Sequence, residues 1–131
     1  MIPDVCAAWV EQVYEVPAPL VQAIASVEAG GPGIVHRNRN GTEDLGWMQI
    51  NSSWLPVLSG YGYTRDLLLR DPCANAIAGA WILRRYYARF ADWTLAIRAY
   101  NVGPDLSGGY DYARRVILRW RGFYFQSQRK E

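Results

Sequence analysis

Glu28 is the first residue of this chain whose type and placement together suggest chemistry. Counting back from it by 3, 4, 7 and 8 gives Ala25, Ile24, Val21 and Leu20, all apolar and all on one helical face; Gln22 and Ser26 mark the opposite face. The pattern is an amphipathic helix whose apolar stripe ends in a carboxylate. Burial disfavours the ionised form of a carboxyl and raises its pKa, so such a group can hold a proton near neutral pH and donate it. A plainer reading stands beside this one, in which Glu28 turns outward at a fraying helix end or pairs with an arginine.

Asp44 follows just beyond the turn signal Asn40-Gly41, Gln49 lies on the same segment, and Tyr100-Asn101 ends a later apolar stretch. Glycoside cleavage needs a proton for the leaving oxygen and a group that stabilises an oxocarbenium-like centre. A buried Glu supplies the first, and a carboxylate, amide or hydroxyl on a facing hairpin helps with the second. Each residue also has an ordinary structural role available. Asp44 can support its turn, Gln49 and Asn101 can satisfy buried backbone groups, and Tyr100 can belong to the core. The weight lies in the ordered set.

Holding that set in place requires a scaffold, and its parts are visible. Residues 4–14 read as a helix that Asp4 can cap. A second helix covers 18–29, entered through Pro17 and Pro19 and ended by Gly30, Gly31 and Gly33. The polar stretch from His36 to Trp54 fits a small hairpin, with Ser52 or Ser53 capping a short helix through Leu58. Residues 60–72 read as a loop with one helical turn. Asp71-Pro72 is an N-cap followed by Pro at the first helical position, opening a helix to Phe90. Asp92 caps a helix through Asn101, stopped by Gly103-Pro104, and a last helix covers 110–121. The expected fold is mainly α (α+β), with about five or six helices and one small β-hairpin flanking a groove.

The chain has 131 residues, the size of a single domain spanning 1–131, and half of them are apolar or aromatic, enough for one core. Its longest apolar runs are too short to span a bilayer. No signal peptide follows Met1, so an exported protein of this sequence is expected to be the mature form with a start Met. The net charge is +2, and several basic residues fall late: Arg114, Arg115, Arg119, Arg121, Arg129 and Lys130. They form neither a dense basic face nor a nucleic-acid module, so no nucleic-acid partner is expected. A mildly basic protein suits an acidic polymer such as a cell wall. With His36 the only histidine, and Cys6 and Cys73 too far apart for a CxxC motif, no metal site is expected. The two cysteines are left as either two buried thiols or one disulfide.

Taken in order, "VEAG", "NRNGTEDLGWMQINSSWLP", "DPCANAIAGAWIL", "AIRAYNVG" and "YARRV" resemble a bacterial lytic transglycosylase of the soluble, goose-lysozyme-related type. The resemblance runs from Cys6 to Trp120 and is nearest to the small specialised enzymes encoded with secretion systems, conjugation machinery and pili. "DLGWMQINS" carries the D-x-G-x-M-Q-I-N pattern, and "AYN" is a further signature. The resemblance implies that Glu28 is the single catalytic acid/base and that Gly46, Met48 and Gln49 belong to the substrate-groove segment. It also implies that Tyr100 and Asn101 are groove residues and that Tyr112 points at the acid. Cys6 and Cys73 match the cysteine pair of exported relatives, which implies a disulfide and the periplasm. The implied partners are peptidoglycan glycan strands and components of a secretion, conjugation or pilus apparatus; the implied protein is a monomer that needs no cofactor.

Two departures stand out. Ala29 occupies the position where the family usually has Ser after the glutamate, so a hydroxyl that could orient the acid or the substrate is missing. The stretch "TEDLGWMQINSSW" also resembles the animal lysozyme hairpin, in which the aspartate matching Asp44 is a second carboxylate. Hydrolysis by Glu28 and Asp44 is therefore an alternative to transglycosylation, and a non-catalytic wall-binding assembly protein is a third reading.

Overall fold

The computed structural model describes residues 1–129; Lys130, one of the late basic residues, lies outside them. The elements run α1 (Asp4–Tyr14), α2 (Ala18–Glu28), β1 (Val35–Arg37), β2 (Glu43–Leu45), β3 (Ile50–Asn51), a 3₁₀ turn (Ser52–Trp54), α3 (Leu55–Ser59), α4 (Arg65–Arg70), α5 (Pro72–Phe90), α6 (Trp93–Val102) and α7 (Tyr110–Arg129). The mainly α class expected from the sequence is the class observed. The hairpin is an antiparallel sheet of order β1-β2-β3, in which Asp44 sits opposite His36 on one side and Asn51 on the other.

Local chemistry explains most boundaries. Asp71 accepts from the backbone N–H groups of Cys73 (2.9 Å) and Ala74 (3.1 Å), with Pro72 opening α5. Asp92 caps α6 through the N–H of Leu95 at 3.0 Å. Thr64 does the same for Leu67 at 3.1 Å, so the expected loop with a single turn is a proper short helix, α4. Other expectations need correction. The cap before the 3₁₀ turn is Asn51, whose side chain accepts from Ser53 N–H, while the Ser52 hydroxyl accepts from Glu43 N–H. Pro3 is the N-cap of α1, and Asp4 lies in its first turn. The last helix continues to Arg129 rather than stopping at 121, because Gly122 is followed by nothing that breaks it.

Helix α2 is the axis of the core. Every residue from Leu20 to Ala25 is buried between α1, α5 and α7, and burying each large aliphatic side chain contributes roughly 1.5–3 kcal/mol. Gln22, which the periodicity put on a polar face, is buried too. Its amide donates to the carbonyl of Ile2 (2.6 Å) and accepts from the N–H of Ile2 (3.2 Å), so the chain ahead of α1 supplies its partners. The sulfurs of Cys6 and Cys73 are bonded, with Cα atoms 5.1 Å apart and a sequence separation of 67. The bond ties α1 to the first turn of α5, a constraint worth about 4 kcal/mol in the chain-entropy account.

Candidate active-site groove

Glu28 ends α2 at the floor of a cavity of about 520 Å³. The sheet forms one wall through Asn38, Thr42, Asp44 and Asn51, with Gln49 beside them; Tyr100 and Asn101 of α6 form the other, and Trp54 and Tyr86 close one end. The Glu28 carboxyl has its pKa raised to about 7. Burial is the largest cause; the Tyr112 hydrogen bond opposes it, the Asp44 charge adds to it, and Arg115 opposes it weakly. The Tyr112 hydroxyl donates to Oε2 of Glu28 at 2.6 Å. Tyr112 is itself buried, which holds its phenol well above the ordinary range, so it stays a donor.

A buried arginine sets where Tyr112 arrives. Arg98 of α6 donates to the carbonyls of Leu106 (2.8 Å) and Gly108 (3.0 Å), and its guanidinium lies 3.8 Å from the ring centre of Tyr110. These contacts fix the loop between α6 and α7 and so the first turn of α7, where Tyr112 lies.

The sheet wall meets the acid through backbone contact. Gly30 packs so tightly on the carbonyl of Gly46 that a Cβ at position 30 would overlap it. Gly46 has φ +72°, and a Cβ there would run into the Asn75 amide. Asn75, fully buried on α5, is the hub of this segment. Its Oδ1 accepts from Met48 N–H (2.8 Å), and its Nδ2 donates to the carbonyls of Leu45 (3.0 Å) and Leu68 (2.9 Å). The sequence reading passed over it; the available signal was an asparagine inside the apolar run "ANAIAGA".

The residues expected at the groove divide accordingly. Glu28, Asp44, Gln49, Tyr100 and Asn101 line it together. Gly46 and Met48 do not: both are buried, with the Met48 side chain seated against Gly79 of α5, and they hold the wall from behind. Tyr112 also lies behind the surface, against the acid. Gln49 adopts φ +54° and donates from Nε2 to the Gly46 carbonyl at 2.9 Å. The Tyr100 hydroxyl donates to the Met48 carbonyl at 2.8 Å, stitching α6 to the sheet wall. Asp44 is half-buried and accepts from Asn51 Nδ2 at 2.9 Å; the same amide reaches the Thr42 hydroxyl at 3.1 Å. Among the described residues no cluster of His, Cys, Asp and Glu has the arrangement of a metal site. The groove thus pairs a carboxyl that is protonated near neutrality with a second carboxylate close enough to influence it, an arrangement suited to proton transfer at a glycosidic oxygen.

Residues 6–110 match the family described as "Transglycosylase SLT domain". The invasion protein IagB of Salmonella typhimurium is 37% identical over 101 residues, covering 76% of this chain and 63% of IagB. Protein IpgF of Shigella flexneri is 34% identical over 93 residues, covering 70% of this chain and 61% of IpgF. A peptidoglycan-binding-like protein of Escherichia coli O157:H7 is 30% identical over 117 residues, covering 81% and 70%. The chain therefore spans less than two thirds of the length of IagB and IpgF.

Proposed function

The chain belongs to the transglycosylase SLT family, and from that premise we propose that it cleaves the β-1,4 bond between MurNAc and GlcNAc in peptidoglycan, with Glu28 as its only proton carrier. A glycan strand lies in the groove between the end of α2 and the sheet. Glu28 gives its proton to the bridging oxygen as the bond to C1 breaks. The resulting carboxylate takes the proton of the C6 hydroxyl of the same MurNAc, and that oxygen closes on C1. The product carries a 1,6-anhydro ring, no water is consumed, and Glu28 ends as it began. Asp44 stands where positive charge develops at C1 and stabilises it. The observation that carries this reading is the raised pKa of Glu28, about 7, in contact with the buried Tyr112 hydroxyl.

One observation favours a second reading. Asp44 lies near enough to raise the pKa of Glu28 by its charge, as a second carboxylate of a retaining hydrolase would. Mass spectrometry of a digest of purified peptidoglycan separates the two. Anhydro ends are expected; reducing ends alone would replace the proposal with hydrolysis, and an untouched substrate would leave a wall-binding role.

The cellular setting we propose is the periplasm, where the protein opens the wall locally for a secretion, conjugation or pilus apparatus. The Cys6–Cys73 disulfide supports an oxidising compartment, no helix among the described residues is long and apolar enough to cross a membrane, and one similar protein is named for invasion.

A further inference from the structure

Trp54 and Tyr86, at the end of the groove, start a row of aromatic rings that leads out of it. Their ring centres are 6.2 Å apart; Trp54 meets Trp81 at 5.9 Å, and Trp81 meets Tyr61 at 6.1 Å. Arg85 covers one face of Trp81. Tyr61, on the turn between α3 and α4, is 69% exposed and is the open ring of the row. Trp81 and Tyr61 also line a second hollow, of about 380 Å³, together with Tyr14, Tyr63, Leu58 and Ile77.

The lining of this hollow narrows the choice of ligand. It contains no charged side chain, which favours a neutral ligand, and the Arg85 guanidinium beside it is engaged on the Trp81 ring. The hollow offers ring faces and the phenols of Tyr14, Tyr61 and Tyr63. Flat apolar faces with hydroxyl donors at their edges match a pyranose, whose C–H faces are apolar and whose rim is hydroxylated. The Trp54–Trp81 contact also places the hollow next to the groove, since Trp54 lines the groove and Trp81 lines the hollow.

We propose that the Tyr61–Trp81 hollow is a further saccharide subsite, holding the neutral sugar backbone of a glycan strand as it leaves the groove past Trp54. The inference rests on the glycan-cleaving function proposed above and adds a preference for strand length. Strands that reach the hollow bind more tightly than those that fill the groove alone. Bond breaking is unaffected, because no ring of the row beyond Trp54 and Tyr86 lines the cavity around Glu28.

The test uses peptide-free glycan strands fractionated by length, with KM and kcat measured for the parent protein, Tyr61→Ala and Tyr61→Phe. For long strands Tyr61→Ala should raise KM about three- to tenfold, the worth of one aromatic contact, with kcat unchanged. For the shortest cleaved strands it should change neither, and Tyr61→Phe, which keeps the ring and loses the hydroxyl, should raise KM for long strands less than Tyr61→Ala does and leave the shortest strands unchanged. The same length dependence should appear in calorimetric binding of strands to the inactive Glu28→Gln protein with and without Tyr61→Ala, which keeps this inference separable from the reaction type. Equal effects on long and short strands, or none on either, would overturn the subsite, as expected if the hollow takes an apolar protein segment instead. Cleavage by the parent with reducing ends would overturn the transglycosylase reading and leave the length dependence standing as its own result.

Discussion

Glu28 and Asp44 face the same groove from walls built in different ways. Behind Glu28 is a helix buried without interruption from Leu20 to Ala25, packed against α7 and closed by Tyr112. Behind Asp44 is a sheet of strands two or three residues long, whose groove face is a web of amides and hydroxyls: Asn51 to Asp44, Asn51 and Asn38 to Thr42, Thr42 to Asn40. The helical wall acts on its carboxyl by removing water, and that sets when the group carries a proton. The sheet wall acts by geometry, setting where a charge stands. Changes on the helical wall should therefore alter pH behaviour and proton chemistry, while changes on the sheet wall should alter rate modestly or loosen the fold.

The largest effect should come from Glu28→Gln. The amide is nearly isosteric and cannot act as an acid, so turnover of peptidoglycan should fall roughly 10²–10⁴-fold; near-parental turnover would break the assignment. The same variant tests the cause of the raised pKa. A carboxyl whose pKa is about 7 when folded, against an ordinary 4.5, binds its proton more tightly in the native state. Its contribution to stability is full below pH 4.5 and is lost as pH rises towards 7. The parent should accordingly lose stability relative to Glu28→Gln over that interval, by at most about 3 kcal/mol, measurable as diverging thermal midpoints. Midpoints that run parallel across the interval would show that burial does not hold the proton.

Next in size is Asn75→Ala, which removes the hub that holds the sheet wall on α5. It strands the buried N–H of Met48 and the carbonyls of Leu45 and Leu68, and each such loss costs about 1–3 kcal/mol. Chemical denaturation should show a loss of about 3 kcal/mol or more, with activity falling as the wall shifts. A variant of parental stability would mean that the Gly30–Gly46 and Tyr100–Met48 contacts seat the wall without it.

Tyr112→Phe should be milder and should act through pH. The Tyr112 hydrogen bond lowers the pKa of Glu28 against the effect of burial. In the parent, kcat/KM should decline as pH rises through about 7, where the acid loses its proton. Without the hydroxyl that limb should move to higher pH, with less than about tenfold loss at the optimum. An unmoved limb would detach the titration from Glu28.

Much of the scaffold was written in local chemistry. Asp71-Pro72 and Asp92 announce α5 and α6 because a cap and a proline act on their nearest neighbours. The spacing of Leu20, Val21, Ile24, Ala25 and Glu28 announces α2. What escaped was decided by parts of the chain distant in sequence. Gln22 reads as polar surface until Ile2 folds over it, and Asn75 reads as one more residue of α5 until three backbone groups from other segments converge on it. Met48 sits in a groove motif, yet its side chain fills the space left by Gly79. In α7, by contrast, a signal was present: Val116, Ile117, Trp120 and Phe123 keep a helical spacing and pack against the core, so the apolar stripe runs past the expected end at 121. In the site, the carboxylates and groove amides could be named from residue type and order, whereas the division between lining and supporting residues needed the packing.

The smallest expected effect falls on the residue that divides the two reactions, and Asp44→Asn assayed for rate and product ends together is the most direct test of the claim that Glu28 alone carries protons. Asp44 accepts a hydrogen bond from Asn51 and, on the proposed reading, carries no proton, so the variant should keep clearly more activity than Glu28→Gln, and both proteins should yield anhydro ends. Reducing ends from the parent, with nearly all activity lost in the variant, would contradict the account and make Asp44 the second carboxylate of a hydrolase.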